Sequence, residues 1–221
     1  MTTEYSNSDV QRRYIGLKLS FTRLTTQFDL FADIWTQRSE HDTGLWLAGL
    51  DRLAQDALEL PAMPYPIPPL VCYLDRGPGA AIRRARTRLP GGGSNPVSVI
   101  RVPRERLIGS GIASSVVHEV GHQGAALLDL VGPLRQELGA RADRGSQALA
   151  WRLWSRWISE IVADVWSVAH LGITSTRGLI GVVSLPRYFV YRISTDDPHP
   201  PPWFRVRLST AIGDFLYPDL Q

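Results

Sequence analysis

The stretch His118-Glu119-Val120-Gly121-His122 decides how this chain is read, because it sets two imidazoles four residues apart with a carboxylate beside the first. An α-helix turns about 100° per residue, so side chains four apart stand within roughly 40° of each other and one turn apart along the axis. Both imidazoles then reach one ion. Glu119 points in a neighbouring direction, where it can act on a water without being a ligand. With five His and seven Glu in the chain, a chance HExxH has odds of roughly 1 in 300. The plain alternative is an amphipathic helix whose polar residues share this spacing by accident.

A catalytic zinc commonly takes three side chains and leaves a position for water, so a third ligand is needed. A metzincin-type continuation would put histidine six residues after His122, but Leu128 stands there, and Met1 and Met63 both precede the motif, leaving no downstream Met-turn. Asp129 lies seven residues on, about 10 Å of helical rise, too far for bonds of roughly 2 Å. A second helix must therefore supply the ligand. Residues 146–171 predict one, with Leu149, Leu153, Trp157, Ile161, Val165 and Val168 recurring three and four apart and no proline inside. It carries Glu160 and Asp164 one turn apart among apolar neighbours, where unpaired carboxylates are costly. Glu160 is expected as the third ligand, and Asp164 as the acceptor behind a ligating imidazole, His118 in the first instance. Ordinary solvated acids are the competing reading. His170 is a rival ligand on the same helix, but about 15 Å of rise separates it from Glu160, so the two cannot share one ion.

His118-Glu119-x-Gly121-His122 followed by Glu160-x-x-Ala163-Asp164 resembles the gluzincin metallopeptidases. A third block, Asp197-Pro198-His199-Pro200-Pro201-Pro202-Trp203-Phe204-Arg205, is similar to the His-Pro segment and following arginine of the CAAX-prenyl and heat-shock membrane endopeptidases, and the blocks occur in that family's order. The resemblance spans roughly residues 108–210. It implies a zincin-like zinc hydrolase that cleaves peptide bonds with Glu119 as general base, and places His199 or Arg205 near the cleft. A donor there suits a carbonyl oxygen becoming an oxyanion. Against these roles, His199 in a run of prolines can simply belong to a rigid loop, and Arg205 can tie that loop down through Asp196 or Asp197. Tyr188 and Tyr191 are further donor candidates. The membrane relatives carry several spans, whereas no stretch here approaches the eighteen or so apolar residues that a span needs. Residues 1–107 show no resemblance.

The chain has 221 residues, 44% of them hydrophobic, enough to bury a core without staples. One domain is expected: an N-terminal helical part (1–60), a strand-rich part (61–107) and a metal-binding helical part (108–221). The single cysteine, Cys72, excludes an intramolecular disulfide and sits in an apolar run, which reads as a buried, inert thiol. The polar start lacks a signal-peptide pattern, so a cytoplasmic location is the default expectation. Net charge is +3. Arg76, Arg83, Arg84, Arg86, Arg88, Arg101, Arg104 and Arg106 cluster ahead of the motif, a pattern open to nucleic acid but more simply a solvated, aggregation-guarding strand face. Trp151, Trp154 and Trp157, at helical spacing, read as packing.

Helices are predicted at 10–31, 44–60, 110–129 (broken by Gly132), 133–141, 147–170, 176–185 and 202–215. Strands are predicted at 70–74 and 97–102, with 80–89 a strand or short helix. The expected fold class is α+β, a small mixed sheet beside the motif helix with the remainder mostly helical. Residues 97–102 are expected at the cleft edge, where an extended peptide adds by main-chain hydrogen bonds. The expected activity is peptide hydrolysis by a zinc-activated water, with His118, His122 and Glu160 holding Zn2+ and a peptide or protein as partner. The alternatives are a non-catalytic peptidase-like binding or regulatory module, or an arginine-rich nucleic-acid-binding protein.

Overall fold

A computed structural model describes residues 6–39, 41–61, 65–77, 79–89, 92–104, 111–144 and 146–220. Two helices, α1 (Asn7–Ser39) and α2 (His41–Leu58), precede strands β1 (Leu70–Asp75), β2 (Ala81–Arg83) and β3 (Ser98–Pro103). The rest is helical: α3 (Gly111–Leu127), α4 (Val131–Arg144), α5 (Ala148–Leu171), α6 (Ile173–Val183), α7 (Arg187–Val190) and α8 (Pro202–Leu216), closed by a 3-10 turn, Pro218–Leu220. The fold is α+β and mostly helical, with one small mixed sheet. No helix among the described residues is long and apolar enough to cross a membrane.

The sheet order is β1-β3-β2, with β1 parallel and β2 antiparallel to β3. This corrects one expectation: the strand at 97–102 is the central one, not an edge. Its burial explains why. Val99, Ile100 and Val102 are all buried, which a strand with a solvated edge and face would not sustain. The segment at 80–89 contributes only the three residues of β2 before the chain turns at Arg86, whose φ is 64°. The outer edge of β1 is covered. Gln37 at the end of α1 donates to the Leu74 carbonyl (2.7 Å) and accepts from its N–H (2.6 Å), while Asp51 of α2 accepts from the Cys72 N–H (2.6 Å). Side chains thus complete the ladder on that side, leaving β2 as the uncovered edge among the described strands.

One core joins the sheet to the helices: Leu47 and Leu58 of α2, Leu70 and Cys72 of β1, Ile100 and Val102 of β3, Val116, Val117 and Val120 of α3, and Trp166 of α5. Burial pushes the Cys72 thiol up, so it stays protonated. A second cluster, Trp157, Ile158 and Ile161, packs with Trp154 and Phe204 and seats α8 on α5. Trp151 instead lies half-buried under Arg141. The exposed arginines Arg76, Arg83, Arg84, Arg86, Arg88 and Arg104 face solvent; Arg106 lies outside the described residues.

Helix α3 ends earlier than expected, and Gly132 is not its breaker. Asp129 takes a left-handed φ of 49°, and the Leu130 N–H closes onto the Ala125 carbonyl at 2.9 Å. Gly132 and Pro133 fall in the first turn of α4, where a proline has no helical hydrogen bond to lose.

Candidate metal centre

The site begins with how closely α3 and α5 approach. A Cβ on Gly121 would stand 2.8 Å from Trp166 Cβ and 2.9 Å from Ala163 Cα, and one on Gly124 would enter the Trp166 ring. Only glycine at these positions lets the two helices touch at this depth. Gly121 is inside the motif and Ala163 lies three residues after Glu160, so the contact sets the turn of His118 and His122 beside that of Glu160. Gln123, fully buried, locks the other side of α3 to the sheet: its Oε1 accepts from the Ala85 N–H (2.9 Å) and the Ser98 hydroxyl (2.7 Å).

His118, His122 and Glu160 form a group able to hold a metal ion, with ligand atoms all within 4.8 Å of one another. His118 Nε2 is 3.3 Å from Glu160 Oε2, and His122 Nε2 is 3.3 Å from Glu160 Oε1. Charge-assisted hydrogen bonds run shorter, about 2.7–2.9 Å. A tetrahedron with metal bonds of about 2.0–2.1 Å has edges of about 3.3–3.4 Å, so these separations fit donors spaced around an ion.

Each imidazole is also held from behind. His118 Nδ1 meets Asp164 Oδ1 at 2.9 Å, and His122 Nδ1 faces the Ser159 hydroxyl at 3.4 Å. Both rings therefore turn Nε2 inward, the tautomer control that a ligating histidine needs. Arg205 of α8 in turn grips Asp164 with two bonds, Nε to Oδ2 at 2.6 Å and Nη2 to Oδ1 at 2.8 Å. Its Nη2 also touches the His118 ring (3.3 Å to each nitrogen) and approaches Glu160 Oε2 at 3.8 Å.

The charges follow from this burial and pairing. Burial pushes Asp164 up, but the Arg205 charge and its hydrogen bonds outweigh that and leave it at about 2. Burial disfavours charged His118, yet hydrogen bonds to Asp164 and Glu160 raise it to about 9. Burial also opposes ionised Glu160, and its bonds to His118 and His122 overcome this, holding it far below the carboxylate range. Glu119, buried and paired with neither imidazole, is the exception: burial dominates and raises it.

All these side chains face a cleft of about 820 Å3. Ala81 and Ile82 of β2 form one wall, Leu179 and Val182 of α6 another, and His199 stands at its mouth. His199 is half-exposed, bonded through Nδ1 to Asp197 (2.8 Å), with Nε2 3.6 Å from Glu160 Oε2. Arg205 does not pair with Asp196 or Asp197; Asp164 claims it, and Asp197 holds His199. His170 lies apart, stacked on Trp166 with Nδ1 at the Trp166 carbonyl (2.9 Å). Tyr188 and Tyr191 are exposed and absent from the cleft wall.

Sequence reasoning missed Ser159 and Gln123. Each adjoins a named ligand, Ser159 before Glu160 and Gln123 after His122, and that adjacency was the only signal available. Comparison with protein-family models, with curated proteins and with solved structures yields no match.

Proposed function

We propose that this chain is a zinc-dependent metallopeptidase of gluzincin type. The observation that carries the reading is the convergence of His118, His122 and Glu160 at metal-ligand spacing, with an unpaired buried carboxylate, Glu119, in the same cleft. A structural ion-pair network gives no reason for Glu119 to be buried without a partner; a general base does.

When bound, zinc lowers the pKa of a water it holds and polarises a substrate carbonyl. With the metal in place, Glu119 would take one proton from the attacking water and return it to the amine nitrogen as the C–N bond breaks. Burial raises its pKa, which strengthens it as the base that accepts the first proton. His199, oriented by Asp197 with Nε2 toward the cleft, donates to the carbonyl oxygen as negative charge develops there. Arg205 acts through others: it fixes Asp164, which fixes His118. The uncovered edge of β2 borders the cleft, so an extended peptide adds to the sheet there and lays its scissile bond across the site.

The test is Glu119→Gln. It retains one equivalent of zinc and lowers cleavage of a peptide library by roughly 10²–10⁴-fold. Undiminished cleavage in that variant overturns the mechanism, and a wild-type protein that takes up no zinc overturns the site.

A further inference from the structure

Helix α1 lines no part of the cleft, and most of its length is exposed. From Asn7 to Leu24 every residue is exposed, and the last turns anchor the helix through Ile34, Gln37 and Arg38, the last paired with Asp51 at 2.7 Å. At 33 residues it runs about 50 Å. It is a poor candidate for standing alone in water, with Gly16 inside it and Thr22, Thr25 and Thr26 among weak helix formers.

Eight of its large apolar residues share one order, with Ile15, Leu19, Leu30 and Ile34 off it. Val10, Tyr14, Leu17, Phe21, Leu24, Phe28, Phe31 and Trp35 are spaced alternately four and three apart throughout, a repeat of 3.5 residues. That repeat is the signature of a seam between paired helices, because it keeps one narrow stripe facing a partner along the whole length. Tyr14, Phe21, Phe28 and Trp35 are 60–69% exposed. At about 150–250 Å2 per aromatic, and with Val10, Leu17 and Leu24 added, the uncovered stripe amounts to roughly 800 Å2 per chain. Two copies would cover roughly 1,600 Å2, the size of a standard specific interface.

We infer that two copies of this chain associate through α1 as an antiparallel helix pair. Direction follows from size and charge. A parallel pair would stack each aromatic on its own copy. An antiparallel pair centred between Thr22 and Arg23 sets Val10 against the second copy's Trp35, Leu17 against its Phe28 and Phe21 against its Leu24, so that large side chains meet small ones in three layers, with Tyr14 against its Phe31 in the fourth. The first two-thirds of α1 carry Arg12, Arg13, Lys18 and Arg23 against Asp9, and the remainder carries Asp29 and Asp33 with Arg38, which is already paired to Asp51. Antiparallel pairing brings these opposite charges together, and parallel pairing stacks like on like. A two-fold pair of this kind is closed and self-complementary.

Sedimentation velocity of the full chain at 10–100 µM gives a dimer, and the double substitution Phe21→Lys/Leu24→Lys gives a monomer. Both side chains are exposed, so zinc content stays that of the wild type. Direction is read by cross-linking: Leu17→Cys with Phe28→Cys forms a disulfide-linked dimer under mild oxidation, while either cysteine alone does not. Buried Cys72 does not compete. A wild-type monomer at 100 µM overturns the inference, as does a monomer that instead floats with anionic phosphatidylserine vesicles. Cross-linking by either single cysteine overturns the antiparallel register.

Discussion

Replacing Gly121 with alanine adds one methyl group at the α3–α5 contact, and the structure says what that methyl meets. It would lie 2.8 Å from Trp166 Cβ and 2.9 Å from Ala163 Cα, where carbon atoms ordinarily sit 3.5–4.0 Å apart. The helices must part by roughly 0.7–1 Å, and because Ala163 is backbone the neighbour cannot rotate away. Overpacking of this kind costs about 1–3 kcal/mol, offset by about 1 kcal/mol from alanine's better helix propensity. A net loss of about 0–2 kcal/mol lowers the melting temperature of a chain this long by at most roughly 8 °C. The larger effect falls on the metal. At the proposed zinc site ligand distances tolerate about 0.2 Å, so displacing Glu160 from the imidazole pair by several times that is expected to weaken zinc binding at least tenfold. The assays are a thermal melt and a zinc titration against a chromophoric chelator. Gly139→Ala is the control: nothing lies within 4 Å of its Cβ, so it is neutral or mildly stabilising and leaves zinc affinity unchanged. Zinc affinity within threefold of wild type in Gly121→Ala, with a melt matching the control, would refute the claim that this contact sets the ligand spacing.

Arg205→Met strands Asp164 as a buried carboxylate with only His118 beside it, at a cost of about 3–5 kcal/mol. Combining it with Asp164→Asn restores most of that stability, and a denaturant-melt cycle showing no coupling between the two sites would contradict the pairing. Stability against pH should follow the buried charges in chelator-treated protein. Asp164 is held at about 2, below its ordinary 3.8, so its contribution is present above pH 4 and is lost as pH falls from 4 to 2. Depressed Glu160 adds in the same direction. His118 is raised to about 9 from 6.5, so its contribution is complete below pH 6.5 and is lost as pH rises through 9. The melting temperature without metal is therefore highest between pH 4 and 6.5. Added zinc stabilises more as pH climbs, since it requires neutral imidazoles. A chelated protein whose melt is flat from pH 3 to 9.5 would count against this charge arrangement.

Much of the site was legible because its chemistry is local. The i, i+4 geometry of His118 and His122 follows from any α-helix, and the choice of Glu160 and Asp164 follows from the cost of burying carboxylates on an apolar stripe. Helix positions followed from periodicity, with most ends shifted by a few residues where capping decided them, as at Asp129, while α1 runs eight residues past its expected end and α7 was not expected. The order of strands was not legible: residues 97–102 are apolar enough for either a central or an edge strand, and only the burial of Ile100 and Val102 between β1, β2 and the helices separates the two. The ion pair weighed as the alternative role of Arg205 pointed to the wrong carboxylates for a related reason. Asp196 and Asp197 are near in sequence, but Asp164, 41 residues away, is the carboxylate that α8 meets when it packs on α5.

From its residues alone, the chain determined that two imidazoles share a helix face, that a carboxylate stands beside them, and that a second apolar helix carries two acids needing partners. Whether those helices meet, at what depth, and which cation neutralises which acid were decided by tertiary packing. Ligand spacing is a distance between elements far apart in the chain, and here it is set by the missing side chain of Gly121 and the backbone at Ala163.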